Sequence, residues 1–233
     1  GDEVAMIGKE GQKLNLTWLD REGEVVFSMP LAGFTVVNQL SELDDSRILI
    51  VGQSAIVNKV KDKKDITLCG RAVVMNRSGN TVTNVYAGVQ GSDLMKGAVL
   101  KSGALLLAGT EPKATGRHGM LLKVDNSGRV IYEYVNDESG YCNHFEVLGN
   151  TTEYVCAAFS AETAKERAAI VRLDEKGKPY YITAIPAPRF QVTGLSANVN
   201  DGSVIMTGNS PIDGGVVDKI RPEGDIVVGK TLI

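Results

Sequence analysis

The stretch LLKVDNSGRVIYEY, Leu121–Tyr134, decides the fold. An alternating apolar run meets a four-residue polar break ending in glycine, and a second alternating run follows. This is the pattern of two antiparallel strands joined by a tight turn. Asp125, Asn126, Ser127 and Gly128 suit a type I turn, with the aspartate side chain capping from the first position. The glycine then takes the left-handed conformation that lets the second strand leave in register.

The same frame recurs at Asp20–Gly23 (DREG), Asn76–Gly79 (NRSG), Asp174–Gly177 (DEKG) and Arg221–Gly224 (RPEG). Pro222 occupies the second turn position, where its fixed φ already suits a type I turn. An apolar residue precedes each turn: Leu19, Met75, Val124, Leu173 and Ile220. Glycines 23, 79, 128, 177 and 224 lie 56, 49, 49 and 47 residues apart. Near-constant spacing over five copies is an internal repeat.

A second phrase precedes each turn: VAMIG at Val4–Gly8, ILIVG at Ile48–Gly52, LLLAG at Leu105–Gly109, YVCAA at Tyr154–Ala158 and VIMTG at Val204–Gly208. Apolar runs without alternation predict strands buried on both faces. No helix-length crossover joins them to the next strand, so the pattern predicts antiparallel sheets stacked on sheets. Four of the five runs follow another candidate strand: FTVVNQL, KGAVLK, HFEVLG and VTGLSANV. Each unit is then about four strands in an up-and-down meander. The expectation is an all-β chain, one β-propeller domain of five blades at approximately 1–31, 32–88, 89–136, 137–186 and 187–233. The first unit begins at its second strand and lacks an inner one. The blade then has three strands, or residues upstream complete it, or the ring holds another number of blades.

Composition fits a single large β domain: 233 residues, 43% apolar, 26 glycines and one tryptophan, Trp18. The sole helix expectation is a turn or two within Ser160–Val171. A formal charge of −3 gives no broad basic face, and no nucleic-acid partner is expected. Lys59–Asp65 (KVKDKKD) reads as a solvated hairpin tip in an enlarged second-to-third-strand connection of the second unit. No stretch approaches the roughly 20 apolar residues of a membrane span. No secretory signal is present, and the chain begins with Gly rather than Met. Cys69, Cys142 and Cys156 are too few for a disulfide framework or a zinc site. Folding one hairpin about a turn near Asn150 sets Cys142 opposite Phe159, so Cys142 and Cys156 are not expected to pair.

Runs ending in glycine, followed by an apolar strand and the phrase K-V-D-x-x-G-x-V (Lys123–Val130), resemble the repeats of secreted bacterial propellers of the quinoprotein-like type. Many of these are lipoproteins or surface proteins of Bacteroidetes. The resemblance is one of repeat grammar over nearly the whole chain. It implies an extracytoplasmic protein, in the periplasm or at the cell surface, lipid-anchored through an N-terminal segment. It implies no reaction, and the lone Trp18 does not make the tryptophan-docking pattern of quinone enzymes, so no cofactor is expected.

Signature motifs of nucleophilic, zinc and nucleotide chemistry are missing from the sequence, which has two histidines, His118 and His144. A glycan hydrolase would need two carboxyl groups roughly 5–9.5 Å apart, and the zone leading into the inner strands offers Asp93, Asp137, Glu138 and Glu146. Solvated loop carboxylates are the plainer reading. Loops entering the inner strands share one face with those joining strands two and three. That face collects Arg117, His118, Tyr141, Asn143, His144, Arg189 and Phe190, groups able to hold a sugar or a peptide segment. Each also has a structural role open to it: His144 as a core histidine, Arg117 and His118 as an exposed hairpin end, Phe190 as a plug of the funnel, and Tyr132 and Tyr134 as cover for a blade edge. The favoured reading is a non-catalytic binding or interaction module of the bacterial cell envelope, with glycan or protein on the loop face. A glycan hydrolase using Asp93 with Glu138 or Glu146 and a purely structural scaffold are the alternatives. The chain is expected as a monomer or a weak dimer, paired through an exposed outer strand such as TVTNVYAG.

Overall fold

The computed structural model describes residues 3–11, 13–44, 46–60, 63–148, 154–198, 200–211 and 214–232, and all regular structure among them is β-strand. Among the described residues nineteen strands form five antiparallel sheets. The first holds β1 (Val4–Glu10), β2 (Lys13–Leu19) and β3 (Val25–Pro30), and the second β4 (Phe34–Asp44), β5 (Arg47–Val60), β6 (Lys63–Asn76) and β7 (Thr81–Ala87). The third contains β8 (Asp93–Val99), β9 (Leu105–Lys113), β10 (Gly116–Val124) and β11 (Val130–Asn136). The fourth is β12 (Tyr141–Leu148), β13 (Tyr154–Ser160), β14 (Arg167–Leu173) and β15 (Pro179–Pro188), and the fifth β16 (Gln191–Ala197), β17 (Val204–Ser210), β18 (Gly214–Ile220) and β19 (Ile226–Leu232). Strand order follows chain order in every sheet, and the first has three strands. The chain divides into two compact units, Gly1–Leu107 with Val124–Arg129 and Ala108–Lys123 with Val130–Ile233.

The repeated turn is built as the residues dictate. The Asp125 carboxylate accepts the backbone N–H groups of Ser127 and Arg129, both at 2.9 Å, while the Gly128 N–H donates to the Asp125 carbonyl. Asp20 and Asp174 repeat this pattern with their own two N–H donors. All five turn glycines have φ between 78° and 104°. A one-residue register shift adjoins four of these turns, at Trp18/Leu19, Val74/Met75, Arg172/Leu173 and Lys219/Ile220. That shift is the bulge a left-handed glycine imposes on the strand that leaves the turn.

Burial follows the non-alternating runs. Ile48–Val51, Leu105–Ala108 and Val155–Phe159 are at most 1% exposed. In the first unit Leu16, Trp18, Phe34, Ile48, Ile50 and Val73 form one core cluster. In the second, Cys156, Ile170, Phe190, Val204 and Met206 belong to another. Register corrects one alignment. Val155 faces Leu173 as Val204 faces Ile220 and Ile48 faces Met75, so the fourth run begins at Val155 rather than Tyr154. Cys142 does pair with Phe159, and all three cysteines are free.

Two expectations differ from the structure. Ser160–Val171 contains no helix: β13 runs to Ser160 and β14 starts at Arg167. Helix-forming Ala, Glu and Lys are overridden because Ala168 and Ile170 enter the core, where β14 pairs on both sides. Tyr132 does not cover an edge. It is 7% exposed, and Gly177 of the next sheet's turn sits against its ring. The β5–β6 hairpin is long, as the spacing of Gly52 and Gly79 requires, and pairs out to Val60 and Lys63. The side chains of Lys59–Asp65 and the turn near Asn150 lie outside the described residues.

Candidate loop-face cavity

Three connections of the second unit converge on a cavity of about 870 Å³. The β9–β10 hairpin brings Thr115, Arg117 and His118, the β11–β12 connection brings Asp137 and Glu138, and the β13–β14 connection contributes residues 162–166. Backbone and hydroxyl groups anchor the middle connection. Ser139 donates its hydroxyl to the Arg167 carbonyl, the Gly119 N–H donates to the Ser139 carbonyl at 2.9 Å, and Thr110 Oγ1 donates to the Gly140 carbonyl at 3.0 Å. Glu138 is thereby held at the cavity wall: its N–H donates to Asn136 Oδ1 at 3.0 Å, and its carbonyl accepts the Arg167 N–H at 2.6 Å. Its side chain is exposed.

The β13–β14 connection is shaped by Glu166, whose carboxylate accepts the N–H groups of Glu162 at 2.6 Å and Thr163 at 3.1 Å. A negative group satisfying two loop donors holds that loop, together with one turn bond from the Glu166 N–H to the Thr163 carbonyl at 3.2 Å. Gly140 must remain bare beside it, since a Cβ there would lie 2.8 Å from Glu166 Oε2.

His118 is 6% exposed. Its Nε2 lies 2.7 Å from Thr115 Oγ1, and its Nδ1 faces Asp137 Oδ1 at 3.9 Å without a hydrogen bond. Asp137 is held instead by Lys113 Nζ at 2.8 Å. That bond lowers the Asp137 carboxyl and raises the Lys113 ammonium from their ordinary values. Lys113 also lies 3.6 Å from the buried Glu111, and burial together with Glu111 pushes Glu133 upward. Asp137 and Lys113 thus satisfy each other, which leaves Arg117, Lys165, Glu138 and Glu162 as the exposed charges at the cavity wall with no ion pair among the described residues.

A smaller hollow of about 400 Å³ shares Glu162 and is otherwise lined by Arg189, Gln191, Asn209, Ser210 and Pro211. Arg189 has a φ of 52°, the only positive value at a non-glycine among the described residues. Strain of that kind persists where the surroundings hold it.

The expected binding residues therefore separate. Arg117 and His118 share the large cavity, and Arg189 lines its neighbour. Phe190 is fully buried, so close to Gly208 that a Cβ there would lie 2.3 Å from the ring. It lies in the core cluster with Ile170, Val192 and Met206 and presents no surface to a ligand. Tyr141, Asn143 and His144 lie half-buried along β12, where the ladder shifts register between Cys142 and His144. None of the three lines the cavity. Of the four acids considered for hydrolysis, Asp137 and Glu138 reach it, Asp137 already bonded to Lys113. Asp93 accepts Asn38 Nδ2 at 2.9 Å, and Glu146 is paired across the ladder with Cys156. No group of three or more His, Cys, Asp or Glu is placed to hold a metal among the described residues. What the cavity offers is two cations, Arg117 and Lys165, and two carboxylates, Glu138 and Glu162, beside hydroxyl and backbone groups, which is hydrogen-bonding capacity for a polar ligand.

No protein-family model matches the chain, and no curated protein matches it. Solved structures do. A Bacteroides caccae protein of unknown function matches over 99% of this chain and 73% of its own, with a TM-score of 0.56 and 14% identity. A mutant of the Synechocystis apocarotenoid oxygenase matches over 99% of this chain, with a TM-score of 0.53 and 12% identity. The chain spans 58% of that oxygenase's length. At these identities the likeness is one of fold. No helix among the described residues is long and apolar enough to cross a membrane.

Proposed function

We propose that the chain is a β-propeller serving as a non-catalytic binding module of the bacterial cell envelope, with its ligand, a glycan, in the cavity formed by the three loops. The observation that carries this reading is the convergence of Arg117, Glu138 and Glu162 from three separate connections on one open cavity of about 870 Å³. Rigid strands present the loops, and Thr110, Ser139 and Glu166 hold them in place. A pyranose offers hydroxyls that accept from a guanidinium and donate to carboxylates, and this wall provides both. The propeller is supported by five consecutive up-and-down sheets of one repeat, and by turn glycines that pack onto the preceding sheet. Placement outside the cytoplasm is supported by the repeat grammar shared with secreted bacterial propellers.

A thermal-shift screen against neutral and acidic oligosaccharides tests the proposal, with Arg117→Ala and Arg189→Ala as controls. Ligand at a hundredfold excess over Kd stabilises the native state by about 2.7 kcal/mol, enough to register. Stabilisation by one glycan class, lost in Arg117→Ala, supports the reading. A panel with no response overturns glycan recognition.

A further inference from the structure

The repeat breaks its own grammar at the far end of the fourth sheet, beside the Asp174–Gly177 turn and away from the loop cavity. Counting six residues on from the first turn position gives Val26, Val82, Ile131 and Val227 in four sheets, and Tyr180 in the fourth. The strand pairing shows why this position matters. Arg172 faces Tyr181 and Leu173 faces Pro179, so Tyr180 is the extra residue of the bulge. A bulge redirects its side chain out of the strand's alternation, and Tyr180 is 69% exposed.

Arg172 lies beneath it. Its Cζ stands 5.6 Å from the centre of the Tyr180 ring and 5.1 Å from that of Tyr154. Both are within the distance at which a guanidinium is attracted to an aromatic face. The cation is nevertheless under-used. Nη1 donates to the Pro222 carbonyl at 3.1 Å, Nε is buried with no hydrogen-bond partner, and Nη2 makes no hydrogen bond among the described residues. No carboxylate of the described residues pairs with it. Pro222 and Glu223, from the β18–β19 turn, complete a cavity of about 340 Å³, at the lower end of the ~300–1,000 Å³ usual for small-ligand sites.

A half-buried arginine beside two aromatic rings, paired with no carboxylate among the described residues, is costly to keep, and a ligand acid would satisfy it. We propose that Arg172, Tyr154, Tyr180 and Glu223 form a second binding site, for an acidic sugar of the hexuronate class. The guanidinium takes the carboxylate through Nη2. The exposed Tyr180 ring stacks on the pyranose face, and Glu223 accepts from its hydroxyls. This site is independent of the loop cavity and draws on different connections.

The test is calorimetric titration of the whole chain with digalacturonate, and with galactobiose as its uncharged counterpart. Digalacturonate is expected to bind at least tenfold more tightly than galactobiose. Tyr180→Ala is expected to weaken it tenfold or more while leaving the thermal midpoint within a few degrees, because the ring is largely in solvent. Arg172→Lys, which keeps the charge but loses the planar guanidinium that lies by the two rings, is expected to weaken it similarly. Arg117→Ala is expected to leave this affinity unchanged, so failure here and failure of the loop cavity are told apart. Equal binding of the two disaccharides, binding of neither, or affinity indifferent to Tyr180→Ala overturns the site.

Discussion

Gly177 lies so close to Tyr132 that a Cβ on the glycine would stand 2.5 Å from the ring's Cγ. The turn of one sheet is seated on an aromatic side chain of the sheet before it. Gly224 repeats the relation with Tyr181, and Gly79 with Phe27. One glycine thus meets two demands, a left-handed φ for the turn and bare space for the neighbouring ring. Gly23 has a φ of 84° and nothing within 4 Å, so the two demands can be separated by experiment. Gly23→Ala is expected to cost about 1–2 kcal/mol, the strain of a left-handed alanine. Gly177→Ala adds the overpacking penalty and is expected to cost about 2–5 kcal/mol. Denaturant midpoints of the two variants check the difference, and equal losses would contradict the stacking argument.

The turn carboxylates set an acid limb of stability. Hydrogen bonds from the Ser127 hydroxyl and from the Arg129 and Ser127 backbone lower Asp125 to about 2, whereas an unfolded aspartate titrates near ~3.9. Between those values the unfolded chain binds more protons than the folded one, so stability rises with pH in that window. The contribution is complete above pH ~4 and is lost as pH falls toward 2. Asp125→Ala is expected to lower stability at neutral pH and to flatten the slope of the thermal midpoint between pH 4 and pH 2. An unchanged slope would show that the cap contributes nothing.

Ser160 ends β13 fully buried, and its Oγ accepts the Val192 N–H at 2.9 Å, tying the fourth sheet to the first strand of the fifth. Ser160→Ala leaves a buried donor unsatisfied, at an expected cost of about 1–3 kcal/mol. Ser28→Ala, at an exposed strand position, is expected to stay within about 0.5 kcal/mol of the parent protein. Urea titrations of both variants measure the contrast.

The cysteines are expected to be chemically silent in the folded protein. Burial pushes the Cys156 thiol up to about 12, and Cys69 is raised by the same cause. Cys142 is fully buried. Ellman's reagent should find no fast-reacting thiol at pH 8 in native protein and three after denaturation. A rapid native reaction would mean that these strands open.

Much of the architecture was legible because the signals are local. Aspartate and glycine at the ends of a four-residue break define the turn, the turn defines the bulge, and the bulge sets the register of the departing strand. The pairing of Cys142 with Phe159 followed from counting about one hairpin. What escaped the sequence depends on neighbours distant in the chain. Tyr132 looked like an edge residue because the glycine that covers it belongs to another repeat. Ser160–Val171 reads as helix on propensity, yet Glu166 caps the loop and Ile170 is drawn into the core. Arg117, His118 and Glu138 could be placed on a loop face, whereas the Lys113–Asp137 pair and the wall from Glu162 to Glu166 needed the fold. Tyr180 was hidden by the bulge that aims it.

The most direct test of the loop-face account is backbone-amide chemical-shift mapping of the labelled protein, titrated with the oligosaccharide that stabilises it most. The account predicts shifts concentrated at residues 115–118, 137–138 and 162–166, and their loss in Arg117→Ala. Shifts confined to other surfaces, or none at these loops with any oligosaccharide tested, would contradict it.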